Sequence, residues 1–222
     1  MKNILKLEKI EKYYGNKSSL TKAINNISFE VFEGEFVAIM GSSGSGKTTL
    51  LNILAGIDKA SQGNVYYCGK RYGSMGESKL AKLRGNNFGF VFQGYHLIPR
   101  ISVEENILCP AYINGKKYDR EYYAYLLQEL GINKLTKKTS YQLSGGEQQR
   151  VAIARAMLLK PKIVFADEPT GNLDSENTMI ITELFSKLNK EYKTTYIIVT
   201  HEENLMENCT QTIRIKDGEI TI

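Results

Sequence analysis

The chain has 222 residues, of which 42% are hydrophobic and 24% are charged, a balance typical of a globular protein. A chain of this length can form one domain whose core is large enough to fold without disulfides or a structural metal. Apolar runs such as Phe36–Met40 are much shorter than the ~18 residues of a membrane-spanning helix. The N-terminal segment mixes charged with apolar residues, unlike a secretory signal. We therefore expect neither a membrane span nor a signal peptide.

The charge and the cysteines argue against further classes. The chain has 29 basic and 24 acidic residues, a net charge of +5, and its lysines are scattered. A nucleic-acid-binding surface is usually more basic and more clustered, so we expect no nucleic-acid partner. Cys68, Cys109 and Cys209 form no CxxC pair, and only two histidines are present. This pattern argues against a zinc site or a disulfide framework and fits a reducing cytoplasm.

Taken in chain order, the first part of the sequence predicts strands. Alternating apolar residues predict two strands of an edge sheet, within 5–10 and 24–29, joined by a polar segment at 15–19. The apolar, β-branched run Phe36–Met40 predicts a strand buried on both faces. A glycine-rich segment and a helical pattern follow, and a further short strand is predicted at 64–68.

From about residue 94 to residue 160 the pattern becomes helical. Apolar residues and tyrosines at helical spacing predict one helix over 119–130, ending at Gly131, and another over 147–159. These elements predict a helical insertion.

The buried-strand pattern then returns. Apolar runs predict strands at 163–166 and 196–199. Asp217 and Gly218, flanked by alternating residues, predict a β-hairpin. The order of elements therefore predicts an α/β core that carries a helical insertion.

A phosphate-binding loop follows the buried strand Phe36–Met40. It matches G-x-x-x-x-G-K-[ST] at every specified position. Its glycines allow backbone N–H groups to approach phosphate oxygens, and the N-terminus of the next helix adds partial positive charge. Lys47 is expected to reach the β- and γ-phosphates of a nucleotide, and Thr48 to ligate Mg²⁺. The predicted nucleotide-binding residues of this segment are Gly41, Ser42, Ser43, Gly44, Ser45, Gly46, Lys47, Thr48 and Thr49.

Two carboxylates and a histidine follow predicted strands. Asp167 and Glu168 end the strand at 163–166. We expect Asp167 to bind Mg²⁺ and Glu168 to polarise the attacking water as a general base. His201 follows the strand at 196–199, at the sheet edge where α/β proteins bind ligands. From its position alone, His201 is either a core partner or a site residue.

Residues 143–150, Leu-Ser-Gly-Gly-Glu-Gln-Gln-Arg, resemble the signature motif of the ATP-binding cassette (ABC) ATPases. Such a run of specified positions has a chance probability well below about one in a million. The resemblance implies that a set of signature residues contacts a nucleotide held by a second subunit. This set consists of Leu143, Ser144, Gly145, Gly146 and Glu147.

The other motifs of this family occur in the expected order. Tyr14 resembles the aromatic residue that stacks on adenine, with Tyr13 beside it as an alternative. Gln93 resembles the glutamine-loop residue that senses the γ-phosphate. Asp174 resembles the D-loop aspartate, and His201 the switch histidine.

The resemblance covers nearly the whole chain and implies the fold. A P-loop NTPase of the ABC ATPase type is α/β, with a mixed central sheet, an N-terminal antiparallel β subdomain and a helical subdomain. Within a single domain over 1–222, we expect the catalytic core and the β subdomain at 1–92 and 161–222. The helical subdomain is expected at about 94–160.

The resemblance also implies cofactors, partners and roles. ATP and Mg²⁺ are the implied cofactors, with Glu168, His201 and Gln93 as catalytic residues and Thr48, Gln93 and Asp167 as the metal-binding set. The chain is expected to be a monomer that forms a head-to-tail homodimer on binding ATP. Its implied partner is a transmembrane permease, with room for a periplasmic or surface adaptor. Its implied place is the cytoplasmic face of the membrane.

Several segments resemble one branch of the family, which contains lipoprotein-releasing, macrolide-exporting and peptide-antibiotic-resistance ATPases. These are the residues 34–58, the segment between Tyr14 and Ala23, and the run 166–175. The chain departs from that branch at Cys109, where leucine is common, and at Glu202, where aspartate is common. Both changes keep the local chemistry and leave ATPase function expected.

Two alternatives remain open. A cell-division ABC ATPase has similar length and motifs, although the long segment after Tyr14 favours the transporter branch. A soluble ATPase related to DNA-repair or ribosome-associated cassettes usually carries coiled-coil insertions, zinc modules or a second cassette, and the sequence has none of these. DNA-stimulated turnover with strong salt dependence would favour the latter.

A seat for the permease is expected near residues 93–101, between the catalytic core and the helical subdomain. Phe92, Tyr95, Leu97 and Ile98 are the apolar and aromatic residues of this region. Substitutions at Tyr95 or Leu97 are predicted to uncouple transport while sparing basal ATPase activity.

Overall fold

A computed structural model describes residues 2–15, 20–171, 173–201 and 209–221. The strands are β1 (Asn3–Tyr14), β2 (Thr21–Phe32), β3 (Phe36–Met40), β4 (Gln62–Tyr67), β5 (Lys70–Arg71), β6 (Phe88–Val91), β7 (Ile163–Asp167), β8 (Thr195–Val199), β9 (Gln211–Lys216) and β10 (Glu219–Thr221). The helices are α1 (Lys47–Leu54), α2 (Glu77–Asn87), α3 (Val103–Ile113), α4 (Arg120–Glu129), α5 (Gly145–Met157) and α6 (Ser175–Tyr192). Short 3₁₀ turns lie at Tyr72–Ser74, Asn133–Leu135 and Ser140–Gln142.

The strands form two sheets, as predicted. One is an antiparallel sheet in the order β2-β1-β4-β5. The other is a mixed sheet in the order β10-β9-β3-β8-β7-β6, in which only β10 runs antiparallel to its neighbour. The five parallel strands therefore end at the same edge, where α/β proteins place their ligands.

The central strands are buried on both faces because each separates two apolar cores. In β8, Tyr196 and Ile198 face a core shared with α3, α4, α5 and α6. Ile197 and Val199 face a second core, formed with α1 and the antiparallel sheet. This double burial explains why these strands appear in the sequence as unbroken apolar runs.

Most predicted elements are confirmed, with shifted ends. The helix predicted over 147–159 begins at Gly145 and ends at Met157, because Ser144 is its N-cap. The strand predicted at 64–68 ends at Tyr67. Cys68 (φ 48°) and Gly69 (φ 77°) instead form the tight turn to β5.

Three helices, α2, α3 and α6, were not predicted with bounds of their own, and the strand β6 was not predicted. Leu80 is the buried residue of α2, so its apolar periodicity is weak. The helix α3 contains Pro110, which obscures a helical pattern, although Ser102 and Glu105 form a capping box at its start. Glu202 and residues 16–19 of the polar segment predicted at 15–19 lie outside the described residues. The proposed division into core and helical subdomain stays a prediction.

Among the described residues, none of the helices combines the length and the apolarity that a bilayer crossing needs.

Candidate functional site

The predicted site residues follow neighbouring parallel strands. The phosphate-binding loop follows β3, Asp167 and Glu168 lie at the end of β7, and His201 follows β8. Because β3, β8 and β7 are adjacent, these segments meet at one edge of the sheet. Gln93 approaches the same edge from the end of β6.

The loop conformation requires glycine where it joins α1. Gly46 is the N-cap of α1 with φ 104°, a left-handed conformation that side chains other than hydrogen rarely adopt. A Cβ atom at Gly46 would also lie 2.5 Å from the carbonyl oxygen of Ala23. The loop is therefore held close to the antiparallel sheet.

Lys47 is buried, and its charge faces the loop backbone. Its Nζ donates to the carbonyl oxygens of Gly41 (2.9 Å) and Ser42 (2.8 Å). Together with the N-terminus of α1, this ammonium group makes the loop an anion site. Ser45 is 3% exposed and is not among the residues that line the cleft.

Thr48 and Asp167 form a pair of oxygen donors beside the loop. The Thr48 hydroxyl donates to Oδ2 of Asp167 at 2.9 Å. Burial raises the pKa of Asp167, and the Glu168 carboxylate raises it further, whereas the Thr48 hydrogen bond and the Lys47 charge oppose this shift. A hydroxyl and a partly desolvated carboxylate are ligands that suit Mg²⁺, and a divalent cation would relieve the cost of the buried charge.

Glu168 lies at the centre of the predicted catalytic groups. Its carboxylate accepts from Nε2 of Gln93 at 3.3 Å, and Nδ1 of His201 lies 3.5 Å from its other oxygen. Glu168 has φ 46°, while its N–H donates to the carbonyl oxygen of Val199. A strained backbone held by a strand neighbour is a feature that clusters at functional sites.

These groups line one cleft of about 440 Å³. Tyr14 lines it as well, whereas Tyr13 does not: the Tyr13 hydroxyl bonds to Glu11. Of the two tyrosines, Tyr14 is therefore the one that lines the cleft, and its stacking on adenine stays a prediction. The predicted residues that line the cleft are Tyr14, Gly41, Ser43, Gly44, Gly46, Lys47, Thr48, Thr49, Gln93, Asp167, Glu168 and His201.

The signature residues do not line this cleft. Ser144 caps α5: its hydroxyl accepts from the N–H of Glu147 at 3.2 Å, and the Glu147 carboxylate accepts from the N–H of Ser144. Asp174 likewise caps α6, accepting from the N–H of Asn177. Within the part of the chain that the structure describes, the cleft and the signature segment are therefore separate surfaces.

The sequence missed two residues that shape this region. Ala23 lines the cleft beside Gly46. Arg155 of α5 donates to the carbonyl oxygens of Tyr95 (2.7 Å) and His96 (2.5 Å), both at positive φ. It therefore joins the signature helix to the segment after Gln93. No local pattern marks either residue, because their partners are distant in the sequence.

The fold and the cleft define a P-loop nucleotide-binding protein, and comparisons with known proteins narrow the class. The family model described as ABC transporter matches residues 24–171. The chain is 45% identical to the lipoprotein-releasing system ATP-binding protein LolD of Aquifex aeolicus, over 99% of this chain and 97% of that protein. It is 41% identical to the bacitracin export ATP-binding protein BceA of Halalkalibacterium halodurans, over 98% and 87% of the two chains.

A solved structure of an ATP-binding cassette is also similar to this chain. The dimeric, post-hydrolysis structure of the ATP-binding cassette MJ0796, bound to ADP and Pi, has a TM-score of 0.92 and 38% identity, covering 99% of this chain and 97% of that chain. This chain belongs to the ABC transporter ATP-binding family, in the branch that includes LolD and BceA. It is an ATPase subunit of that family.

Replacing Asp167 by asparagine is expected to stabilise the nucleotide-free protein and to weaken ATP binding in the presence of Mg²⁺. A carboxyl whose folded-state pKa is raised costs stability once pH rises through that pKa, and asparagine removes this cost. At neutral pH we expect the melting temperature to rise by about 2–4 °C, the shift that ~1 kcal/mol produces in a protein of this size. Calorimetry without nucleotide measures it.

Asp119 provides a control of opposite sign. The backbone N–H of Tyr122, which Asp119 caps, lowers the pKa of this carboxyl. Asp119→Asn should therefore lower the melting temperature at neutral pH. A fall for Asp167→Asn as well would contradict the prediction that this carboxylate is a cost until a cation binds.

Proposed function

We propose that this chain is the cytoplasmic ATPase subunit that drives a separate transmembrane permease by ATP-dependent closure of a homodimer. The observation that carries the proposal is the division of the site: one cleft holds the phosphate loop and the catalytic carboxylates, and the signature residues lie outside it. A single chain thus presents two surfaces suited to one nucleotide. A head-to-tail dimer brings each signature to its partner's cleft.

In each cleft, Lys47 and the N–H groups at the start of α1 would bind the ATP phosphates. Thr48 and Asp167, with Gln93 nearby, would hold Mg²⁺, which when bound neutralises charge on the β- and γ-phosphates. Glu168 would accept the proton of the attacking water. His201, 3.5 Å from Glu168, would orient that carboxylate and contact the γ-phosphate.

The signature helix would complete the site across the dimer. Ser144 and the N–H groups of Gly145 and Gly146 open α5, and a helix N-terminus attracts a phosphate. Donors supplied from a partner act on developing charge, an effect worth about 10³–10⁵ in rate in other phosphoryl-transfer systems. The dimeric ADP-bound cassette to which this chain is similar supports this arrangement.

An apolar groove offers the permease a docking surface. The groove has a volume of about 320 Å³. Its lining includes Phe92, one of the residues predicted for docking, and Cys109, Pro110 and Ile113 of α3. Ile113 is 77% exposed. An exposed apolar groove of this kind suits the apolar face of a short helix.

Two of the other residues predicted for docking are less suited. Leu97 packs against the core on the helical side of the sheet. The Tyr95 hydroxyl lies close to the signature: a Cβ atom at Gly145 would be 3.0 Å from its oxygen. Substituting either would disturb the fold or the signature, so α3 provides the cleaner test.

Ile113→Asp is expected to weaken association with the permease at least tenfold while basal ATPase activity stays within about twofold of the wild type. Burying an isoleucine contributes about 1.5–3 kcal/mol, and aspartate adds a desolvation cost. The measurement is the amount of each variant that co-purifies with the membrane fraction. The membrane protein that co-purifies is then identified, and its transmembrane spans are counted. The matched control is Ile220→Asp on β10, 37% exposed and outside the groove. Equal retention of both variants would contradict the docking site.

The substrate is proposed only as a class. LolD is named for lipoprotein release and BceA for bacitracin export. We propose export or membrane extraction of a lipoprotein, a peptide antibiotic or another drug. The permease selects among these, because the cleft described here is built for nucleotide.

A further inference from the structure

A cluster of three side chains lies at the open end of the nucleotide cleft. It joins Tyr14, the last residue of β1, to Lys12 on the same strand and to Asp58 in the loop after α1. We propose that Lys12 and Asp58 are positioning residues that hold the Tyr14 ring in place for the adenine base. The proposal rests on the proposed function and, within it, on the stacking role that the sequence predicts for Tyr14.

The Asp58 carboxylate bridges the two other side chains. Its Oδ2 accepts from the Tyr14 hydroxyl at 2.8 Å. Its Oδ1 accepts from Nζ of Lys12 at 2.6 Å and from the N–H of Lys59 at 2.7 Å. Lys12 donates in addition to the carbonyl oxygen of Lys59 at 2.8 Å. Both oxygens of Asp58 are thus occupied, which fixes its orientation.

The ring is held from a face as well as by its hydroxyl. Nζ of Lys12 lies 4.9 Å from the centroid of the Tyr14 ring, within the range of a cation–π contact. The Lys12 side chain is only 12% exposed, so little freedom remains to it. The Tyr14 ring is 45% exposed and lines the cleft, which leaves ring surface available for an adenine base.

The charges agree with this geometry. Burial acts to raise the pKa of Asp58, but the hydrogen bonds from Lys12 and Tyr14 outweigh it and hold that pKa below its ordinary value. Burial, and then the bond to Asp58, raise the pKa of Tyr14. At neutral pH the carboxylate is therefore ionised, and the tyrosine keeps the proton that it donates.

The cluster also connects the base site to the phosphate site. Asp58 follows α1, whose first residue is Lys47. A second pair of contacts keeps β1 beside the same loop: the N–H of Tyr13 donates to Oγ of Ser61, and the N–H of Ser61 to the carbonyl of Glu11. Holding Tyr14 before ATP arrives removes part of the entropy cost of ordering the ring on binding.

Asp58→Ala is expected to weaken ATP binding about tenfold, measured by isothermal titration calorimetry, and to raise KM for ATP with kcat changed less than about twofold. Affinity for inorganic tripolyphosphate, which has no base, is expected to stay within about twofold of the wild type. Asp58→Asn, which keeps the size of the side chain, should show the same pattern to a smaller extent. The control is Glu77→Gln, which removes a carboxylate paired with Lys59. This variant should bind ATP and tripolyphosphate with wild-type affinity.

Tyr14→Ala separates this proposal from the one it rests on. If Tyr14→Ala leaves ATP affinity unchanged, Tyr14 does not stack on adenine, and the stacking role predicted from the sequence fails. If Tyr14→Ala weakens ATP binding but Asp58→Ala and Asp58→Asn do not, only the positioning role is overturned. An equal loss of ATP and tripolyphosphate affinity in Asp58→Ala would overturn it too, because it would indicate a displaced α1. We expect the double variant to bind ATP no more weakly than Tyr14→Ala alone.

Discussion

Replacing Glu168 by glutamine is expected to lower the ATPase rate by about 10²–10⁴-fold, the usual contribution of a general base. ATP binding should persist, because Lys47, Thr48 and Asp167 are unchanged. The variant should then accumulate as an ATP-bound dimer, which size-exclusion chromatography with light scattering detects as a doubled mass. Glutamine keeps the size of the side chain and its place between Gln93 and His201, so the loss would report the carboxylate.

The matched control is Glu129→Gln. Glu129 pairs with Lys187 on the surface, and an exposed ion pair contributes little to stability, so turnover should be unchanged. A Glu168→Gln chain that binds ATP but remains monomeric would contradict the proposed dimer closure. A variant that keeps wild-type turnover would contradict the role of Glu168 as base.

Ser144→Arg is expected to abolish turnover. Mixing this variant with Lys47→Ala, which is also expected to be inactive, should restore part of the activity. An arginine side chain at Ser144 would block the approach of a phosphate held by another chain. Lys47→Ala leaves the signature intact but removes the phosphate-binding ammonium. In an equal mixture, heterodimers contain one site built from an intact cleft and an intact signature. If single sites turn over independently, about a quarter of the wild-type rate should return, measured by phosphate release.

Ser102→Arg is the control for loss of a helix cap. Ser102 and Ser144 each form a capping box, on α3 and α5 respectively. Each hydroxyl accepts from the N–H three residues later, at 3.1 Å for Ser102 and 3.2 Å for Ser144. Loss of either cap costs about 0.5–2 kcal/mol of stability. Ser102→Arg should therefore lower the melting temperature similarly but keep ATPase activity. Failure of the mixture to recover activity, with both chains folded, would contradict a site shared between subunits.

The predictability of the site differs among its parts. The loop at 41–48 was predictable because phosphate binding needs consecutive residues of defined type. Asp167, Glu168 and His201 were predictable as strand-end residues, since apolar runs mark the strands before them. Their approach to Gln93 depends on the order of β3, β8, β7 and β6 in the sheet. Local sequence patterns do not specify which strands are neighbours.

Two of the helices that escaped prediction, α2 and α3, have weak or masked local patterns. The helix α2 buries little, and α3 carries an internal proline. Register was also undetermined: Cys68 was expected in a strand, but its positive φ places it in a turn. The end of a strand and its register depend on the strand that pairs with it. A run of apolar residues predicts a buried strand but does not identify its neighbour.

The sequence by itself determined the family, the nucleotide chemistry and the central strands, because each depends on residues that are consecutive or periodic. Tertiary structure alone placed Tyr14, and not Tyr13, on the cleft and brought Asp58 to the Tyr14 hydroxyl across 44 positions of the chain. It also separated the signature from the cleft. These contacts join distant segments, and their geometry follows from how the two sheets and α1 pack against a common core.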